Sequence, residues 1–246
     1  PARFPLWFTI RGMLPARITF IFLAACLALA QATSEVEITS EPSHHPALEN
    51  DQVRVFKVEV APHKSTLMHW HRHDYLFITL GDAHVSNKIK DRDAIELNFV
   101  DGDTRFVTGN FAHIAENLSN KPFRNVTIEL LKDEQARKNP PFKWDEERGL
   151  NVFNGATQHI LFVQDGVRVS EFDMQAGGMI PSHQHKGPHL LVAVSDLELR
   201  SVSEGQSPSV TKLKSGDVKW LPGGYTHTLT NSAKQPAKFI TLEFPQ

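Results

Sequence analysis

The chain has 246 residues and a single cysteine, Cys26, so no disulfide framework can form within it. Lys and Arg number 26 against 28 Asp and Glu. That near-balance leaves no one-signed surface to suggest a nucleic-acid partner. Its apolar run, Ile18 to Ala30, is too short for a comfortable membrane span. The length suffices for one large domain or two small ones, each able to bury a core. What the sequence does have is histidine, 13 in all.

The apolar run has the flanks of an export leader. Arg17 precedes it, and Ala30-Gln31-Ala32 follows with the small-x-small pattern of a signal-peptidase site. Residues 1–32 are therefore expected to be a leader cleaved after Ala32, and residues 1–12, ahead of Met13, to lie upstream of the native start. The protein is then periplasmic or secreted. An alternative is carried by "LAAC", Leu23 to Cys26, which would leave a lipid anchor on Cys26.

The chain then says one thing twice. "VRVFKVEVAPHKSTLMHWH", from Val53 to His71, aligns with "VRVSEFDMQAGGMIPSHQH", from Val167 to His185. The offset is 167 less 53, or 114 residues, and it also carries His113 to His227, Asn117 to Asn231 and "VTIEL" (126–130) to "ITLEF" (240–244). A repeat without gaps predicts two homologous domains in tandem: 33–132 and 150–246, joined by a charged, proline-broken linker over 133–149. Phe56, Val58 and Val60 alternate with Lys57 and Glu59, and Phe172 and Met174 with Glu171 and Asp173. That is the period of half-buried strands. His69, His71 and His73 stand at every second position of "MHWHRHDYLFITLGD" (68–82), so a strand would put them on one face.

The motif Gly216, Pro222, Gly224, His227, Asn231 in "GDVKWLPGGYTHTLTN" resembles the second motif of the cupin superfamily. The first copy keeps Gly102, His113 and Asn117 but has Thr108 and Asn110 in place of the proline and the glycine. The resemblance covers residues 50–246 and implies a bicupin: all-β, two tandem antiparallel jelly-roll barrels. It also implies metal ligands from His-x-His, a following glutamate and the second-motif histidine. Carried over, the C-terminal barrel offers His183, His185 and His227, with His189 where the glutamate would stand. The N-terminal barrel offers His69, His71 and His113, with Tyr75 at the glutamate position and Asp74 just before it. The C-terminal set is the favoured one. His73, matched by Gly187, reads as a rim residue, Phe172, Met179 and Trp220 as core or rim, and Asp103 and Asp217 as turn-formers.

Imidazoles suit a divalent transition ion, whether Fe, Mn, Ni, Cu or Zn. Neutral ligands leave the ion its charge, which favours an anionic ligand. Two functions stay open. One is a metal-dependent oxygenase-type enzyme on a small organic substrate. The other is a non-catalytic cupin that binds a metal or small ligand. A decarboxylase of the oxalate type has a similar layout, but its site carries the glutamate missing here. Asp74 and His73 are the only nameable candidates for an acid or base. Self-association into a homo-oligomer is a further expectation.

Overall fold

Side chains projecting to opposite faces of paired strands are what assemble this molecule. The computed structural model describes residues 35–132 and 144–245; the expected leader, Cys26 and most of the linker lie outside those residues. In the first half, β1 (Val36–Glu37), β2 (His44–Glu49), β3 (Val53–Val60), β4 (His69–His71) and β5 (Tyr75–Thr79) come first. They are followed by β6 (Ala83–Ile89), β7 (Ile95–Phe99), β8 (Thr104–Val107), β9 (Phe111–Asn117) and β10 (Phe123–Leu130). Two sheets result, ordered β1-β4-β9-β6-β7 and β2-β3-β10-β5-β8.

The second half runs β11 (Gly149–Phe153), β12 (Ala156–Gln164), β13 (Val167–Met174), β14 (Met179–His185) and β15 (His189–Ala193). It closes with β16 (Leu197–Val202), β17 (Ser209–Leu213), β18 (Val218–Leu221), β19 (Tyr225–Asn231) and β20 (Ala237–Glu243). Its sheets are ordered β11-β12-β13-β20-β15-β18 and β14-β19-β16-β17. The strands β3, β5, β7, β8 and β9 recur, with both ends displaced by the same offset, as β13, β15, β17, β18 and β19. The molecule is all-β, in antiparallel sheets apart from the short β1–β4 pairing.

Each facing sheet has two buried sides. On β3, Phe56, Val58 and Val60 join the core of their own half, while Val53 and Val55 join a different cluster. That second cluster also holds Leu76, Ile78, Val126 and Ile128 from the first half, and Val169, Leu190, Val192, Ile240 and Leu242 from the second. The two halves therefore share one apolar layer, with sheet packed on sheet. This is why β15 is buried along its whole length instead of alternating.

Two motif positions prove to be architectural. Asn117 is fully buried; its Nδ2 donates to the carbonyls of Val60, Ala61 and Lys121, and its Oδ1 accepts from Ser119 N–H. Asn231 repeats this with Met174, Gln175, Gln235 and Ala233. One side chain thus satisfies a strand end and a turn that have no ladder partners.

The loop before the motif histidine is the second. A Cβ on Gly109 would stand 2.2 Å from the His73 carbonyl oxygen, and one on Gly223 would stand 2.4 Å from the Gly187 carbonyl carbon, so neither position admits a side chain. The next residue, Asn110 or Gly224, has φ of 64° or 82° and donates its N–H to the carbonyl of the second histidine, His71 or His185. Asparagine tolerates that left-handed region, which explains why Asn110 can stand where the second copy has glycine.

Candidate metal centres

In the first half, His69 and His71 lie on β4, two residues apart, and both are buried. β9 runs antiparallel beside it and sets His113 opposite His69. His113 Nε2 lies 3.1 Å from the Nε2 atoms of both His69 and His71. The same construction recurs in the second half, where His183 pairs with His227 across β14 and β19 and their Nε2 atoms are 3.0 Å apart. His185 completes that trio, its ligand atom within 4.8 Å of the others.

The outward nitrogens of His69, His183 and His185 fix the tautomers of those rings. His69 Nδ1 donates to the Leu67 carbonyl at 2.9 Å, and His183 Nδ1 to the Pro181 carbonyl at 2.8 Å. A carbonyl can only accept, so these rings carry their proton on Nδ1 and turn a lone pair inward. His113 Nδ1 meets Asn87 Oδ1 at 2.6 Å, His227 Nδ1 meets Ser201 Oγ at 2.7 Å, and His185 Nδ1 donates to Glu243 Oε1 at 3.0 Å. Inward lone pairs about 3 Å apart repel unless a proton or a cation lies between them. Ligands about 90° apart on an ion at ~2.1 Å lie ~3.0 Å from one another, against ~3.4 Å at a tetrahedral angle. The 3.0–3.1 Å spacings fit adjacent corners of an octahedral ion. The residues present therefore fit a divalent metal.

Electrostatics agree. Burial holds His69 down to about 4, and holds His227 down to about 3 together with His183 and His185. Burial and neighbouring imidazoles push His71 and His113 well below the usual range. Rings held neutral at pH 7 are ready ligands.

No family model matches the chain. Among solved structures it is similar to Bacillus subtilis oxalate decarboxylase, a protein with Mn(II) centres, at TM-score 0.57 and 12% identity over 82% of this chain and 75% of that one. It is similar also to AerE from Microcystis aeruginosa, at TM-score 0.55 and 15% identity, covering 84% of this chain and 99% of that one. The chain has the bicupin fold. Two curated relatives from Prunus persica match in part: auxin-binding protein ABP19a, 33% identical over 82 residues, and ABP20, 30% identical over 74 residues. Those alignments cover 32% and 29% of this chain, and 37% and 35% of the relatives' own length.

The bicupin's two barrels differ in what surrounds their histidines. At the motif-glutamate position, Tyr75 stacks on His71 with centroids 4.0 Å apart, and His189 stacks on His185 at the same distance. His189 lies against the face of His185; its Nε2 is 3.4 Å from Tyr225 Oη and its Nδ1 is buried without a partner. Asp74 Oδ1 accepts the Gly109 N–H, so this carboxylate clips the loop described above. Asp103 and Asp217 each accept a turn N–H, from Val100 and Lys214. Phe172 is core, Met179 is exposed, and Trp220 packs against the shared layer.

Carboxylates missed from sequence stand just behind the ligands. On β20, Glu243 is held by Arg168 at 2.6 Å while it accepts from His185. Glu129 and Arg54 are their equivalents, 3.3 Å apart, but there Glu129 Oε1 and His71 Nδ1 are both buried without a partner. Burial raises Glu129. Burial also works to raise Glu243, yet its bonds to His185 and Arg168 outweigh that and hold it at about 2. Both glutamates and both arginines sit inside the repeated segments, and that recurrence was the available signal.

The cavities are unequal too. The N-terminal barrel encloses about 660 Å³, walled by Val58, Phe77, Val85, Leu97 and Phe111 above the histidines. The C-terminal one encloses about 270 Å³. Phe172 and Phe239 stack at 4.8 Å inside the latter, where the N-terminal barrel has Val58 and Asn125. Two rings have filled what is open space in the other barrel.

Proposed function

We propose that this bicupin is an exported metalloprotein, an oxygenase-type enzyme that takes a small organic anion into its N-terminal barrel. The observation that carries the reading is the convergence of the His69, His71 and His113 Nε2 atoms in the lining of the 660 Å³ apolar cavity. An ion held by His69, His71 and His113 would supply Lewis-acid chemistry to a bound substrate or to dioxygen. The protein's own part is to bind and orient. Apolar walls hold the body of the substrate and exclude water. Arg92 and Arg105 are exposed side chains that also line the cavity, so they stand at its mouth. Arg105 lies 4.7 Å over Phe99. Arg92 has no ion-pair partner among the described residues, and so is available to a carboxylate.

Manganese or iron is the metal this reading favours, Mn(II) being the ion named for the oxalate decarboxylase structure. Elemental analysis of the purified protein beside His113→Ala and His227→Ala tests it. One first-row ion should be lost with His113, and a protein whose metal depends on neither histidine would end the reading. A second reading, non-catalytic binding, draws on the partial likeness to proteins named as auxin-binding. Oxygen uptake with a panel of aromatic and aliphatic carboxylates separates the two. Export belongs to the same proposal, and N-terminal sequencing of protein recovered from the periplasm should find a start after Ala32. A lipid-modified Cys26 would select the anchored form instead. No helix among the described residues is long and apolar enough to cross a membrane.

A further inference from the structure

The N-terminal barrel contains a fourth histidine that neither motif supplies. His44 lies on β2, buried, and the pairing of β2 with β3 sets it opposite Val58, on the strand side that faces the barrel interior. Its ring centroid is 4.7 Å from that of His69 and 6.3 Å from that of His71. One nitrogen of each of His44, His69 and His71 lies within 4.8 Å of the others.

Glu41 fixes which nitrogen that is. Its carboxylate is buried, and its Oε2 accepts from His44 Nδ1 at 2.7 Å. The same carboxylate is itself anchored by the backbone N–H groups of Ser43 and Leu67. With Nδ1 committed, the free donor of His44 is Nε2. A buried carboxylate that holds Nδ1 of an inward-turned imidazole is the arrangement that orients metal-ligating histidines. The repeat offers an internal control. The position equivalent to His44 is Gln158, which lies on β12 opposite Phe172 of β13, and among the described residues no imidazole enters the C-terminal barrel from that side.

We propose that His44 is the fourth imidazole of the N-terminal metal site, oriented by Glu41, and that it makes good the loss of the motif glutamate to Tyr75. The N-terminal barrel then carries the fuller donor set, His44, His69, His71 and His113, beneath the larger cavity. This rests on the metal-dependent reading above. It reverses the ranking of the two barrels that the motifs alone suggest.

The test uses Mn(II) alone, on full-length protein whose C-terminal site is disabled by His183→Ala with His227→Ala. Affinity is read from loss of the free-ion EPR signal, and the number of coordinated rings from electron spin-echo spectroscopy. The background protein should bind one equivalent with four coupled imidazoles. His44→Gln, which installs the residue of the second barrel, should leave three and weaken binding at least tenfold. Circular dichroism of the metal-free variant should remain that of the background, showing that the fold is kept. Glu41→Gln should keep four rings yet bind about tenfold or more weakly, as loss of an orienting partner does. If His44→Gln keeps both affinity and ring count while His113→Ala loses the ion, the proposal fails and the metal reading stands. If Mn(II) does not bind the background, or binds regardless of His113, the metal reading fails and takes this proposal with it.

Discussion

A single carboxylate, Glu243, ties two residues together: Arg168 holds one oxygen at 2.6 Å and His185 donates to the other at 3.0 Å. Its charge has two uses. It keeps Arg168 satisfied in a largely buried place, and it orients the His185 ring toward an ion on its far side. Glu243→Gln keeps the shape and removes the charge. Metal affinity of the C-terminal site should fall about ten- to a hundredfold, measured by Mn(II) titration in a His113→Ala background. Glu243→Ala should also unpair Arg168 and cost about 3–5 kcal/mol of stability, as breaking a buried pair does. Urea denaturation reads this. A loss under 1 kcal/mol would show that Arg168 reaches solvent instead.

The loop between β8 and β9, and its repeat between β18 and β19, is where sequence and conformation meet most tightly. Gly224 has φ of 82° and Asn110 has 64°, so one copy demonstrates what the other can accept. Gly224→Asn should change stability by less than about 1 kcal/mol, and Gly224→Val should cost about 1–3 kcal/mol, because a β-branched residue is an outlier there. Chemical denaturation of the pair checks this, and equal losses would refute it. Elements like these were legible in advance because they are local. Period-2 alternation identifies a strand such as β3, and His-x-His on a strand shares a face wherever the strand goes. The repeat without gaps then fixed the correspondence of β3 with β13 and of β9 with β19. What was not legible depends on register between strands distant in sequence. Glu129 meets Arg54 and Tyr75 only because β10 lies between β3 and β5. His44 reaches the cluster only through the β2–β3 register. The unequal cavities, likewise, follow from Phe172 meeting Phe239 across β13 and β20.

At the scale of the whole molecule, the apolar layer shared by the halves should make them unfold as one thermodynamic object. Ile240 is fully buried in it. Ile240→Ala should cost about 2–5 kcal/mol and leave a single unfolding transition, with tryptophan fluorescence and circular dichroism coincident. Two separable transitions would mean that the halves unfold independently. The surface ion pair Lys57–Asp217, which also joins them, should matter little, as exposed pairs do. The buried imidazoles impose a common pH dependence on this object. In the unfolded chain each histidine titrates near about 6.5, whereas the native protein holds His69 at about 4 and His189 and His227 at about 3. Between those values the unfolded chain binds protons that the native state refuses, so stability must fall as pH falls through that window. Glu243, held at about 2, extends the loss downward, and Glu129, raised by burial, partly offsets it. One ring alone accounts for about 2 kcal/mol between pH 7 and pH 5. The urea midpoint of metal-free protein should therefore drop by at least that equivalent from pH 7 to 5 and stay flat from 7 to 8. Saturating Mn(II) should steepen the drop, since protons and the ion compete for the same lone pairs. A midpoint unchanged at pH 5 would mean that these rings are not held neutral in the native state, and the inward lone pairs would lose their support.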